Sequence, residues 1–276
     1  MGKIVWLASY PKSGNTWVRA FLHNYIAEPQ TPYSINSLAD LSASEANAAF
    51  FRPYDPQPPS AWSIAKTQQM RPKVHHDLTR LHPDFVFIKT HNACLAVHGI
   101  PLCTPEVTQG VVYILRDPRD VAVSYSAYTG QSIDSIIAFM NQDQAANRAS
   151  DERVFELLGT WSLHVNSWTR QDSRRLLILR YEDLLREPAE NFGRLIAFLG
   201  GEPPDAERLR RAVEFSRFGV LAGQESALGY AAHAPGATAP FFRAGREGQW
   251  REVLTPAQRT RIEADHQAMM RYFGYL

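Results

Sequence analysis

A short apolar segment, a tight polar turn and an amphipathic stretch open the chain and most constrain its fold. Residues Ile4–Leu7 form an apolar run that Tyr10-Pro11 ends, which predicts a buried strand. Apolar residues then recur every three or four positions from Trp17 to Ile26, which predicts a helix. A strand, a glycine-containing turn and a helix start direct backbone N–H groups and the positive end of the helix dipole toward one point. The segment therefore predicts an anion-binding turn.

The side chains of this turn suit a phosphate or sulfate ester. Lys12 supplies a positive charge, and Ser13 and Thr16 supply hydroxyl groups. The turn is not a Walker A loop, because its lysine precedes its only glycine, Gly14, instead of following a glycine. A lone Lys-Ser-Gly is more typical of a solvated lysine at a chain corner. Eight consecutive residues that open a helix, 10–17, favour the anion-binding interpretation.

Composition and charge exclude several classes of function. The chain has 276 residues, 45% of them hydrophobic, which is enough for a large core. A formal net charge of +1 creates no overall field that would attract nucleic acid or a membrane surface. Cys94 and Cys103 are too few for a disulfide framework or a zinc site, so we expect free cysteines in a reducing compartment. No apolar run approaches the ~20 residues of a membrane span, and the N-terminal run is too short for a signal peptide. We therefore expect a soluble, cytoplasmic protein.

Short apolar strands alternate with amphipathic helices along the chain. Further strands are predicted at 85–88, 111–115 and 176–179. This alternation predicts an α/β fold with an open, mostly parallel sheet of about five strands, covered by helices on both faces, in a single domain over residues 1–276. Later helices are predicted from Pro118 onward, at 132–147, 151–170, 189–199 (stopped by Gly200-Gly201), 205–215 and 256–272.

Two segments are rich in residues typical of loops. Prolines crowd residues 29–84, where only Ser37–Phe51 has a helical pattern, and residues 219–249 are rich in glycine and alanine and lack periodicity. Long loops in a compact domain often cover a ligand, so we expect both segments to cover the binding site, with 29–84 and 219–249 as its loop-rich walls. Several aromatic residues in or near these segments suggest a hydrophobic acceptor: Phe50, Phe51, Tyr54, Trp62, Tyr128 and Tyr230.

Each predicted sheet strand ends in a polar cluster, and parallel strands in open α/β sheets bind ligands at their carboxyl ends. Three cationic side chains, Lys12, Lys89 and Arg116, together with hydroxyl and backbone donors, suit an ester or anhydride of phosphate or sulfate. A neutral histidine is a common general base toward an alcohol or phenol. Asp117 is the only acidic candidate for holding Mg²⁺. The residues that we expect to converge on one crevice are Lys12, Ser13, Thr16, Lys89, His91, Arg116, Ser124 and Tyr181.

These motifs together resemble the cytosolic-type sulfotransferases that use 3′-phosphoadenosine 5′-phosphosulfate (PAPS). Residues 10–17 are similar to the family's P-loop-like 5′-phosphosulfate loop, and Lys89-Thr90-His91 is similar to its Lys-Thr-His segment, whose histidine is the catalytic base. The resemblance implies PAPS as donor, 3′-phosphoadenosine 5′-phosphate (PAP) as product and no required metal. The catalytic residues implied are His91, Lys12, Lys89 and Ser124.

Three further segments resemble the parts of the family that bind the nucleotide. Residues 116–120 with Ser124 are similar to the 3′-phosphate segment, residues 180–184 to the adenine segment, and residues 242–250 to a late loop that closes over the 3′-phosphate. The cofactor-binding residues implied are Lys12, Ser13, Gly14, Asn15, Thr16, Trp17, Arg116, Ser124, Tyr181, Ser216, Phe218, Arg243, Ala244 and Gly245.

The sequence departs from the family pattern at informative positions. Ala244 stands where the family has a lysine, and Arg246 is a candidate to replace the lost contact. Gln249 stands in place of an aspartate. The family's C-terminal dimer motif is not matched, because Thr255 is followed by a proline. Monomer and homodimer therefore both stay open.

The resemblance implies transfer of a sulfuryl group from PAPS to a hydroxyl of a small hydrophobic or phenolic acceptor. His91 takes the role of general base, and the lysines stabilise the transition state. The sequence leaves phenol, alcohol and amine acceptors open. A P-loop-like kinase with Asp117 as its acid is an alternative, which a requirement for Mg²⁺ would support. A nucleotide-binding protein without turnover is a second alternative.

Overall fold

The computed structural model describes residues 2–170, 175–200, 203–231 and 239–276. The described residues form two compact units, each assembled from three stretches of sequence. Unit 1 comprises Met1–Tyr10, Ser42–Tyr113 and Phe139–Ile178, and unit 2 comprises Pro11–Leu41, Ile114–Ala138 and Leu179–Leu276. The single domain over residues 1–276 stays a prediction. Gly201 of the predicted helix stop and residues 232–238 of the predicted loop 219–249 lie outside the described residues.

The strands form one sheet of five and two short ribbons within the described part of the chain. The sheet has the order β2-β3-β1-β6-β9, and β1 and β2 both pair with β3 in parallel. The predicted α/β fold, with a parallel five-stranded sheet flanked by helices, is confirmed. The strands are β1 Lys3–Ser9, β2 Ser42–Ser44, β3 Phe85–Thr90, β4 Ala96–Val97, β5 Ile100–Pro101, β6 Thr108–Leu115, β7 Ala146–Asn147, β8 Glu156–Leu157 and β9 Leu176–Arg180.

Helices occupy most of the remaining described sequence, together with five short 3-10 turns. The predicted helices after β1, at Pro118, at 189–199 and at 205–215 are confirmed, and Pro118 occupies the first turn of its helix as its fixed φ favours. The α-helices are α1 Asn15–Ala27, α2 Ile64–Leu78, α3 Pro118–Thr129, α4 Ile133–Met140, α5 Trp161–Thr169, α6 Tyr181–Arg186, α7 Pro188–Gly200, α8 Ala206–Phe215, α9 Phe218–Leu228, α10 Trp250–Val253, α11 Pro256–Asp265 and α12 Gln267–Tyr272.

The predicted loop 29–84 was wrong over its second half. Residues Ile64–Leu78 form a helix of 15 residues despite Pro72 in its interior. Ser63 caps this helix by accepting a hydrogen bond from the N–H of Lys66, which offsets part of the cost of the proline. The predicted helix at 37–51 was also wrong, because this stretch contains short 3-10 turns and β2.

Four other helices differ from the prediction. The helix predicted at 132–147 ends at Met140, and the helix predicted at 151–170 begins only at Trp161. Between them lies the antiparallel ribbon of β7 and β8. The predicted loop 219–249 contains α9 in its first third, and the last predicted helix, 256–272, is divided at His266.

Each unit has its own apolar interior. In unit 1 the indoles of Trp6, Trp161 and Trp168 are fully buried. In unit 2 the rings of Phe21 and Phe192 stack with their centroids 3.9 Å apart. Truncating such a buried aromatic side chain costs about 3–5 kcal/mol of stability. None of the described helices combines the length and the apolar character needed to cross a membrane.

Candidate active site

The predicted anion-binding turn lies in unit 2 and has an unusual backbone conformation. Lys12 and Gly14 both have positive φ, 66° and 103°, and α1 begins directly after Gly14. A Cβ atom on Gly14 would lie 2.7 Å from Cδ2 of Tyr181, which is too close for any side chain. The glycine is therefore required both by its φ and by the ring packed against it.

The amino end of α1 and the buried Ser13 hydroxyl lie beside each other in this turn. The first N–H groups of a helix have no partner within the helix, and the helix dipole places positive potential there. Ser13 is 1% exposed, and its Oγ has no hydrogen-bond partner among the described residues. Asn15 is buried and Thr16 half-buried in the first turn of α1. A buried hydroxyl without a partner at a helix amino end fits a bound phosphate or sulfate oxygen.

Lys12 is held between two aromatic rings. Its Nζ lies 4.1 Å from the centroid of the Tyr128 ring and 3.7 Å from that of the Phe241 ring. Burial and the charge of Arg116 lower the pKa of the Lys12 ammonium to about 7, although the Glu225 carboxylate opposes the shift. Near neutral pH the Lys12 side chain is therefore only partly protonated, and a bound anion would favour its charged form.

Arg116 lies at the end of β6 and joins two loops of unit 2. Its guanidinium donates to the carbonyl of Lys12 at 3.0 Å and to the carbonyl of Arg246 at 3.2 Å, and it lies over the ring of Tyr181. Its Nε is buried and has no partner among the described residues. Ser124 is half-buried on α3, about two helical turns after the start of that helix.

Two of the four predicted adenine-binding residues, Trp17 and Tyr181, contact each other within unit 2. The ring of Trp17 packs edge-on against Tyr181, with centroids 5.7 Å apart. Ser216 is fully buried and donates to the carbonyl of Ala212 at 2.8 Å, so its hydroxyl satisfies the end of α8. Phe218 packs so closely under Gly245 that a Cβ there would lie 2.2 Å from the ring. The glycine allows the late loop to approach the aromatic ring.

Asp120 anchors the late loop. Its carboxylate accepts hydrogen bonds from the N–H of Gly248 at 2.6 Å and from the N–H of Trp250 at 3.0 Å. Arg243, exposed next to Ala244, donates to the side-chain oxygen of Gln249. Gln249 thus replaces the expected aspartate with a neutral partner for the arginine.

Arg246, the candidate to replace the family lysine that is absent at position 244, is paired with an acidic side chain. Its guanidinium forms a salt bridge with Glu252, with a hydrogen bond of 2.8 Å. Only its backbone carbonyl takes part in the site, as an acceptor for Arg116. Compensation for the missing lysine by Arg246 stays a prediction.

His91 lies in unit 1, directly after β3, and is oriented by the end of β1. Its Nδ1 is 2.8 Å from the carbonyl oxygen of Ser9. A carbonyl can only accept, so Nδ1 carries the proton and Nε2 of the neutral ring is left with its lone pair. Burial and the charge of Lys89 lower the pKa of His91 well below its usual value, so the ring is neutral at pH 7. The tautomer and the charge state are those of a general base that acts through Nε2.

Glu156, on β8, is a site residue that the sequence analysis missed. It is fully buried, its Oε1 accepts from the N–H of His91 at 3.2 Å, and the same oxygen is 3.7 Å from Nζ of Lys89. The wrong helix prediction at 151–170 concealed it. No local signal marked it, because Val154-Phe155-Glu156-Leu157-Leu158 does not alternate apolar and polar residues, and the burial of every second residue is visible only in the structure.

Asp117, the candidate Mg²⁺ ligand of the kinase alternative, is engaged elsewhere. Its carboxylate accepts from Arg119, with a shortest distance of 2.7 Å, and it caps the amino end of α3. Among the described residues no group of three or more His, Cys, Asp or Glu side chains is arranged to hold a metal ion.

Unit 1 also contains a cavity of about 450 Å³. This volume lies within the range of small-molecule pockets, roughly 300–1,000 Å³. Three aromatic side chains, Trp62, Phe139 and Phe155, line it together with Arg148. Of the aromatic residues that suggested an acceptor, Phe51 is fully buried and Trp62 lines this cavity.

The parallel sheet and the turn before α1 define an α/β protein suited to phosphate or sulfate esters. A sequence model of the sulfotransferase domain family matches residues 3–274. The chain belongs to this family, and the predicted enzyme class is confirmed.

Individual relatives agree with this assignment. Mouse sulfotransferase 1B1 is 28% identical over 206 residues, a match that spans 70% of this chain and 64% of the mouse protein. Sulfotransferase 1A1 of the dog is 25% identical over 283 residues, or 97% of this chain and 83% of the dog protein. The crystal structure of mouse SULT7A1 complexed with PAP matches with a TM-score of 0.63 and 19% identity, covering 98% of this chain and 85% of that chain. At that identity the likeness concerns the fold alone.

Proposed function

We propose that this sulfotransferase transfers a sulfuryl group from PAPS to a hydroxyl of a small hydrophobic or phenolic acceptor. The observation that supports PAPS most directly is the turn before α1, where the buried Ser13 hydroxyl has no partner among the described residues. Crystallised family relatives such as mouse SULT7A1 bind PAP. The 5′-phosphosulfate lies on residues 12–16 in this proposal, and Arg116, Ser124 and Arg243 hold the 3′-phosphate.

His91 is the general base of the proposed reaction. Its Nδ1–H is held by the Ser9 carbonyl, so Nε2 takes the proton of the acceptor hydroxyl as the oxygen attacks sulfur. The new oxygen–sulfur bond forms while the bond from sulfur to the bridging phosphate oxygen breaks, and PAP leaves. General-base assistance of this kind contributes about 10²–10⁴-fold to the rate.

The two lysines stabilise charge in the proposal. Lys12 stabilises the negative charge on the bridging oxygen of the leaving PAP. An anion at this position restores the ammonium form that burial disfavours. Lys89 stabilises the oxygens of the transferred sulfuryl group. Removing one such preorganised donor costs on the order of 10²–10³ in rate.

The acceptor is small and apolar in this proposal. The cavity lined by Trp62, Phe139 and Phe155 in unit 1 supports an aromatic or hydrophobic body. A neutral histidine base favours a hydroxyl, which is already a weak acid when it is phenolic. The chain acts as a monomer or homodimer in the cytoplasm, with no nucleic-acid or membrane partner.

A transfer assay tests the proposal. The protein is incubated with PAPS labelled with ³⁵S and a panel of phenols, aliphatic alcohols and amines, and labelled product is separated by chromatography. We expect label in a phenol or alcohol, together with one PAP released per product, without added metal. Transfer of phosphate from ATP that requires Mg²⁺ would support the kinase alternative, and PAPS binding without any turnover would support an inactive binding protein.

A further inference from the structure

Both oxygens of the Glu156 carboxylate are used around the proposed general base. Oε1 accepts from the N–H of His91 at 3.2 Å and is 3.7 Å from Nζ of Lys89. Oε2 accepts from Asn147 at 2.9 Å and from Arg153 at 2.8 Å. The side chain is 0% exposed. Burying a carboxylate is unfavourable unless it is paired and hydrogen-bonded, so this arrangement fixes its four partners relative to one another.

We propose that Glu156 is a positioning residue that holds Lys89 and the backbone of His91 in their reactive arrangement and supports the basicity of His91. This proposal rests on the proposed function, because it assigns Glu156 a part in the same reaction. Glu156 does not touch the reacting atoms in this account; it acts through two residues that do.

The distances explain how one carboxylate can serve both residues. Lys89 and His91 are two positions apart, on β3 and directly after it, and Glu156 Oε1 bridges the side chain of the first and the backbone of the second. A lysine side chain has four rotatable bonds, and a fixed anion restricts where its ammonium group can lie. Misplacement by about 1 Å can cost about 100-fold in rate.

The charges explain the effect on basicity. The Glu156 carboxylate raises the pKa of His91, whereas Lys89 and Arg153 lower it. Without the carboxylate only the hydrogen bond to the Ser9 carbonyl opposes burial and the two cations, so the pKa of His91 falls further and the ring becomes a weaker base. The charged or titratable groups that interact with Glu156 or His91 in unit 1 are Lys89, Arg153, Arg71 and His164.

A comparison of Glu156→Gln with Glu152→Gln tests the proposal. Glutamine keeps the size of the side chain and an acceptor oxygen, and Glu152 is an exposed glutamate four positions earlier that serves as the control. We expect Glu156→Gln to lower kcat by about 10- to 100-fold with little change in the KM for PAPS, and Glu152→Gln to behave as wild type. Thermal unfolding of each variant establishes that it is folded.

Two further variants separate positioning from a merely structural role. The double variant Lys89→Met/Glu156→Gln should have a kcat only slightly lower than that of Lys89→Met alone, because the glutamate acts largely through the lysine. Arg153→Gln removes a cation and should move the acidic limb of the pH–rate profile upward, whereas Glu156→Gln moves it downward. The proposal would be overturned if the losses in kcat of Lys89→Met and Glu156→Gln multiplied in the double variant. It would also be overturned if Arg153→Gln and Glu156→Gln moved the acidic limb equally and in the same direction.

A measurement without turnover distinguishes failure of this proposal from failure of the proposed function. The ¹⁵N resonances of His91 report its tautomer and its titration midpoint in each variant. We expect the Nδ1–H form in all of them, a lower midpoint in Glu156→Gln and a higher one in Arg153→Gln. If wild-type protein transfers no sulfuryl group, the proposed function fails; if the His91 resonances are unaffected by Glu156→Gln, the role of Glu156 fails.

Discussion

The turn of residues 12–16 in unit 2 and the surroundings of His91 in unit 1 are built in different ways. The turn depends on backbone conformation, with positive φ at Lys12 and Gly14 and a buried Ser13 hydroxyl without a partner among the described residues. His91 depends on partners that are distant in sequence, the Ser9 carbonyl and the Glu156 carboxylate. The first region is an open set of donors for an anion, whereas the second is a closed hydrogen-bond network that fixes one tautomer.

This difference implies that nucleotide binding and proton transfer can be damaged separately. Substitutions in the turn should weaken binding of PAP and leave the protonation of His91 unchanged. Substitutions around His91 should slow transfer and leave binding of PAP unchanged. Four predictions test this separation, beginning with the largest expected effect.

Replacing the proposed base should give the largest loss. We expect His91→Gln to lower kcat by about 10²–10⁴-fold, because no group is left to take the acceptor proton. Its affinity for PAP should stay within a factor of about three of wild type, since His91 is not part of the turn. Initial rates and titration of PAP measure the two quantities. An equal loss in both would contradict the separation.

Replacing the glycine of the turn should mainly affect binding. Gly14→Ala places a Cβ at 2.7 Å from the ring of Tyr181 and requires a φ of 103° that alanine avoids. We expect strain of roughly 1–3 kcal/mol, expressed as about 10- to 100-fold weaker binding of PAP. Gly130→Ala is a matched control, because it also has positive φ but nothing lies near its added Cβ. Normal affinity in Gly14→Ala would contradict the role of the turn.

Binding of PAP should depend on pH through Lys12. Its pKa of about 7 in the free protein should rise when an anion binds, so binding takes up a proton above pH 7. Affinity should therefore be greatest below pH 7 and fall as the pH rises, by up to about tenfold per pH unit. Lys12→Met should remove this slope. Titrations of PAP at pH 6, 7, 8 and 9 compare the two proteins. If the affinity of Lys12→Met still fell with rising pH, a group other than Lys12 would be responsible for the pH dependence.

Acid should destabilise unit 1 more than unit 2. Among the described residues, burial lowers the pKa of three histidines in unit 1, His75, His91 and His164, and of two in unit 2, His23 and His266. A histidine whose pKa is lower in the folded state contributes stability above the unfolded value of about 6.5 and loses it as the pH falls. We expect a loss on the order of 1 kcal/mol per histidine at pH 5. Hydrogen exchange at pH 5 and pH 7.5 shows which unit loses protection; equal protection at both pH values would contradict this prediction.

The comparison also explains what the sequence could predict. The turn is contiguous, and its strand, glycine and helix start can be recognised locally, as can the strands ending at Thr90 and Leu115. Glu156 could not be assigned, because its role depends on a ribbon that pairs residues 146–147 with residues 156–157. The helix over residues 64–78 was missed because Pro72 and a polar composition conceal its pattern. Local motifs were predictable, and contacts between distant segments were not.

The most direct test of the central claim is to titrate PAP, 5′-AMP and ATP separately into the protein by calorimetry without metal. The titrations are made for wild type, Arg116→Ala and His91→Gln. The account predicts that wild type and His91→Gln bind PAP tightly, that 5′-AMP binds much more weakly because it lacks the 3′-phosphate, and that Arg116→Ala loses this preference. Equal binding of PAP and 5′-AMP, or stronger binding of ATP once Mg²⁺ is added, would contradict a PAPS-dependent sulfotransferase and favour the kinase alternative.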